Sequence, residues 1–122
     1  MKSLVFTILF ALCAMTAFAD ATGKWTGTFT PEGQEPQTAY VILKQDGASL
    51  TGSGGPNESE QWPIAKGKVE GNRVTGEVTS PEGDVYKLDL MIDGDKAKGE
   101  VTGIHEGQAV IKAKIQLTRV KS

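Results

Sequence analysis

The chain has 122 residues, with thirteen lysines and arginines against fifteen aspartates and glutamates, one histidine and one cysteine. Residues 20–122 contain no cysteine, so disulfides are excluded there, and they suffice for one domain with its own core but not for two. The slight acidic excess and the lack of a basic block argue against nucleic acid or an anionic membrane surface as a partner.

Residues 1–19 differ from the rest. Lys2 is their only charge, positions 4–18 are almost wholly apolar, and Ala17-Phe18-Ala19 has the small-x-small spacing of a signal-peptidase site. The expectation is a cleaved secretory signal with Asp20 as the new N-terminus, and no integral membrane span. Cys13 follows Leu12, where a lipid-anchor signal needs a small residue, so lipidation is not expected. Residues 20–122 are then expected to be one β-barrel domain, secreted or periplasmic.

Two-residue alternation dominates after Asp20, the pattern of half-buried strands. The first strand, 23–30, sets Trp25, Gly27 and Phe29 against Lys24, Thr26 and Thr28. The second, 37–45, reads AYVILK and is apolar on both faces, which leaves Tyr40 unoriented. A short third strand, 48–54, is followed by a fourth, 61–70, in which Trp62 and Ile64 share a face that Val69 joins only through a bulge at Gly67. Val74, Gly76 and Val78 face inward from the fifth, 72–79, and Tyr86, Leu88, Leu90 and Ile92 from the sixth, 85–92. A seventh strand at 95–103 precedes the eighth, 108–120, with Ala109, Ile111, Ala113, Ile115 and Leu117 inward.

Gln45-Asp46-Gly47, Glu70-Gly71-Asn72 and Asp93-Gly94-Asp95 read as tight hairpin turns. The connections at 30–37, 54–61, 80–84 and 104–108 read as looser loops, so tight and loose links are expected to alternate. An apolar residue with glycine two places later recurs as Trp25-x-Gly27, Leu50-x-Gly52, Val74-x-Gly76 and Ala97-x-Gly99. Each repeat unit is a strand pair, and the four glycines fall on odd strands at similar height. Inward glycines let strands bend and approach, which points to an all-β fold: an eight-stranded antiparallel up-and-down meander closing into a small barrel. Closure also removes both sheet edges.

Gly23-Lys24-Trp25 resembles the Gly-x-Trp that opens the first strand of lipocalins, whose last strand carries an arginine that packs on that tryptophan. Arg119 lies where such an arginine is expected, and the resemblance implies a barrel-closing pair of Trp25 and Arg119, stacked as cation on ring. The chain lacks the long first loop, C-terminal helix and disulfide of lipocalins. Its size is nearer to avidins and fatty-acid-binding proteins, of the same wider calycin architecture. It also resembles uncharacterised secreted bacterial proteins with segments like GPNESEQWPI and EGNRVTGEV.

In a meander the loose loops share one end. Glu32, Glu35, Glu58, Glu60, Glu82, Asp84 and Glu106 fall there with no lysine or arginine, while Lys24, Arg73, Lys96, Arg119 and Lys121 lie toward the other. Tyr40, Trp62 and Tyr86 start even strands just inside this acidic rim, the arrangement of an aromatic ligand mouth. Asn57, Glu58, Glu60 and Gln61 crowd the loop before Trp62, without the spacing of a calcium loop. His105 beside Glu106 is the one candidate acid–base pair, and a lone histidine does not build a zinc site. No cofactor or metal motif is present, and no catalytic constellation is read. The reading is a non-enzymatic binding barrel for a small apolar or amphipathic ligand; the alternatives are an interaction or inhibitor module with a protein partner at the open-end loops, and an enzyme using His105 and Glu106.

Overall fold

The computed structural model describes residues 20–121; the expected signal segment and its cleavage site at residue 19 lie outside or at the edge of them. Eight strands follow in order: β1 (Gly23–Pro31), β2 (Gln37–Asp46), β3 (Ser49–Gly55), β4 (Trp62–Glu70), β5 (Arg73–Thr79), β6 (Val85–Asp93), β7 (Lys96–His105) and β8 (Gln108–Arg119). Each pairs antiparallel with its chain neighbour, and β8 pairs with β1, so the meander closes into a barrel. Among the described residues, closure gives every strand two hydrogen-bonded neighbours and leaves no sheet edge. An eight-stranded antiparallel barrel is compatible with a calycin-like architecture.

The repeated glycines show how closure is achieved. A Cβ on Gly27 would collide with the Gln116 carbonyl of β8, one on Gly52 with the Ile42 carbonyl of β2, and one on Gly99 with the Asp89 carbonyl of β6. At Gly76 the obstacle is the Ile64 side chain of β4, 2.8 Å away. In every case an odd strand presses against the even strand before it. One residue type at one height therefore coils the sheet, as the repeat predicts.

Below this ring of glycines the barrel is filled. Trp25, Leu43, Leu50, Val69, Val74, Leu90, Ile92 and Leu117 are all at most 4 % exposed. These side chains come from all eight strands but β7, which contributes the smaller Ala97.

Two expectations are sharpened or corrected. The fourth strand does change parity by a bulge: its pairing with β5 slips between Ala65 and Lys68, which brings Val69 into the core. The left-handed backbone falls on Lys66 (φ 55°), while Gly67 supplies the close approach to the Leu50 backbone. The link at 104–108 is not loose. His105 pairs with Gln108 across a two-residue turn in which Glu106 (φ 52°) and Gly107 (φ 80°) are both left-handed, the primed turn that suits strand twist. Glu-Gly is a weak signal for such a turn, because a side chain other than Asn or Asp rarely takes its first position. A slip between Gly103 and Ile104 also accompanies this hairpin, and Ala109, expected inward, is exposed.

Candidate ligand-binding site

The two ends of the barrel differ in how they are sealed. At the tight-turn end Trp25 is fully buried, and its Nε1–H donates to the Ala21 carbonyl at 3.0 Å. The Arg119 guanidinium lies 4.4 Å from the centre of the Trp25 ring. It donates to Asp95 Oδ1 (3.0 Å), to the Asp20 carbonyl (2.8 Å), to the Gly94 carbonyl (3.2 Å) and to the Thr22 carbonyl. The β1–β8 register sets Arg119 directly opposite Trp25. A planar fork with several donors can satisfy this many acceptors and still stack on a ring, which a lysine cannot.

The other end is open. Above the glycine ring the inward side chains no longer fill the barrel, and a cavity of about 250 Å³ remains. Phe29, Val41, Val78, Leu88, Val101 and Ile115 form its apolar wall. Trp62 and Tyr86 line it nearer the mouth, both half-buried against the core. Gln37, Thr38, Pro56, Ser80 and Glu82 complete the lining at the rim. Gly54 lines this space and contributes no side chain to it, while the place beside Gly103 is taken by Ile111 and the Tyr86 ring.

Ser80 is 8 % exposed. It organises the β5–β6 turn: its carbonyl accepts from Gly83 N–H (2.9 Å) and its Oγ from Asp84 N–H (3.3 Å). The turn sets Glu82 at the mouth and Asp84 beside His105, whose Nδ1 is hydrogen-bonded to Asp84 Oδ1. Burial pushes the Tyr86 phenol above its usual range, and the nearby Asp84 and Glu82 carboxylates add to this. The phenol therefore stays a neutral donor at the mouth throughout the neutral range.

Of the residues singled out from the sequence, the fold brings only Trp62 and Tyr86 to the cavity wall. Tyr40 alternates with Ala39 and Val41, which face the core, and pairs with exposed Thr26, so it lies on the outer surface. Its strand is apolar on both faces because the outer one is covered too: Tyr40 is 9 % exposed, beside Gly55, over which the Glu60 carbonyl passes.

Asn57 and Glu60 fold their own loop. Asn57 Oδ1 accepts from Ser59 and Glu60 N–H, both at 2.9 Å, and its Nδ2 donates to Glu60 Oε1 at 3.1 Å. Gln61 then clamps the loop to the barrel, donating to the Tyr40 and Asn57 carbonyls and accepting from Ser53 Oγ (2.7 Å). Glu58 is exposed on the same loop. His105 and Glu106 sit on the β7–β8 hairpin outside the lining, with Glu106 Oε1 3.9 Å from His105 Nε2. The partner of His105 in the fold is Asp84, which sequence proximity could not reveal.

Phe29, Ser80 and Glu82 are among the lining residues that were not ligand-binding candidates. Phe29 was legible as an inward residue at the far end of its strand and Glu82 as a carboxylate of the acidic rim; Ser80 looked like an ordinary turn residue. Charge at the two ends also differs from expectation. The basic residues of the closed end are matched there by Asp20, Asp46, Glu70, Asp93 and Asp95, so the polarity of the molecule comes from its acidic open rim. No protein-family model matches the chain, and neither a curated protein nor a solved structure matches it significantly.

Proposed function

We propose that the protein is a secreted or periplasmic, non-enzymatic binding barrel that takes a small apolar or amphipathic molecule into its open end. The observation that carries this reading is the apolar cavity of about 250 Å³ under the aromatic pair Trp62 and Tyr86. A concave apolar site with few polar groups at its mouth is the usual form of a small-molecule site, and this volume lies just below the roughly 300–1,000 Å³ common for drug-sized ligands. A ligand of one ring with a short tail is the matching size. Native mass spectrometry of the protein taken from its own compartment tests this. The expected result is a reproducible adduct, lost on Trp62→Ala or Tyr86→Ala. Bare protein that also excludes apolar fluorescent probes would overturn it.

A second reading, an interaction module, draws support from the clamped loop before β4. Six hydrogen bonds made by the Asn57 and Gln61 side chains hold its backbone or neighbours in place. A loop ordered before binding costs less entropy to dock on a protein.

A further inference from the structure

We infer that the open-end cavity selects organic cations: a protonated or quaternary amine carried on a small apolar body. This rests on the binding-barrel reading and names its ligand class. Glu82 is the one charged residue in the cavity lining, and among the described residues it makes no ion pair. Six other carboxylates share this end of the barrel, and among the described residues only Asp84 and Glu106 have a close basic partner, the single His105. The first lysines below the rim, Lys87 and Lys112, are exposed on the outer wall, opposite Thr102 from either side, and so face away from the mouth.

A ligand whose apolar part enters the cavity must leave its head beside Glu82, Trp62 and Tyr86. An anionic head meets like charge there, which is costly wherever water is partly excluded. A cationic head meets a carboxylate and two aromatic side chains, the kind of surroundings that recognise ammonium groups. The Tyr86 phenol and the Ser80 hydroxyl can tolerate a neutral polar head but give it no comparable advantage.

Three probes with one skeleton separate charge from fit: 3-phenylpropylamine, 3-phenylpropanol and 3-phenylpropanoate, titrated calorimetrically at neutral pH and low salt. The amine is expected to bind at least about tenfold more tightly than the carboxylate, with the alcohol between. The amine–carboxylate gap should narrow as salt screens the rim and collapse to about threefold or less in Glu82→Gln. Equal or tighter binding of the carboxylate would overturn the cation assignment while leaving the binding-barrel reading standing. Binding of none of the three would overturn both. An amine preference undiminished in Glu82→Gln would overturn the part given to Glu82.

Discussion

The closed and open ends of this barrel use the same strands to opposite effect. At the closed end a tryptophan with no exposed surface is roofed by Arg119, whose guanidinium reaches four acceptors in two segments of the chain. At the open end the aromatic residues are half-buried, the interior is vacant above the glycines, and the polar groups serve loops and rim. One end is saturated and the other is not. Stability should therefore be concentrated at the closed end, while the open end tolerates change and governs binding.

The largest effect expected is from Trp25→Ala, which empties the floor of the core. It should cost about 3–5 kcal/mol, a large part of the stability of a domain this size, read as a fall in the urea midpoint. Gly99→Ala comes next, at about 3 kcal/mol, because the methyl would overlap the Asp89 carbonyl and β7 must draw back from β6. An equal stability for Gly99→Ala and wild type would show that the glycine ring does not set the closure.

Arg119→Lys tests the roof. It keeps the charge but cannot reach the same acceptors, and a loss of about 1–3 kcal/mol is expected in thermal or denaturant unfolding. At the open end Trp62→Ala should lower stability by only about 1–2 kcal/mol, since the ring is half-exposed, yet abolish binding of an apolar probe. A larger stability loss there than for Arg119→Lys would reverse the comparison between the ends.

The smallest effect belongs to the strand wall. Two hydrogen bonds from Arg73, with its charge adding, hold the Asp89 carboxyl below its usual range. A lowered folded-state value stabilises the fold above the unfolded carboxyl pKa of about 3.9, and that contribution is lost as pH falls through the folded value. Asp89→Asn should thus be slightly less stable than wild type at neutral pH, and the two should converge in strong acid. Both groups are exposed, so the difference is expected to be small.

Most of the fold was legible because strand periodicity and glycine spacing are local. Val74-x-Gly76-x-Val78 and the inward series from Tyr86 to Ile92 face as their alternation requires. The site was less legible. Tyr40 could not be oriented, since burial of both faces of β2 erases the alternation that would place it. The polar residues before Trp62 suggested a ligand loop, but a loop must first satisfy its own backbone, and Asn57 and Gln61 do that. Asp84 and His105 are 21 positions apart and meet only because β6 and β7 are paired.

The sequence by itself determined the strands, most of their inward faces and the repeat that coils them, for each of these depends on residues within a few positions of one another; β2, buried on both faces, and the start of β8 were the exceptions. It also determined that carboxylates crowd one set of loops. Only the tertiary structure decided which side chains fill the barrel and which leave it open, because filling depends on what eight strands contribute at one height. Gly54 leaves room in the cavity lined by Trp62 and Tyr86, while Leu43, Leu50, Leu90 and Leu117 fill the floor around Trp25. Glu82 sits on a local turn held by Ser80, and only closure of the barrel sets that turn at the mouth of the cavity.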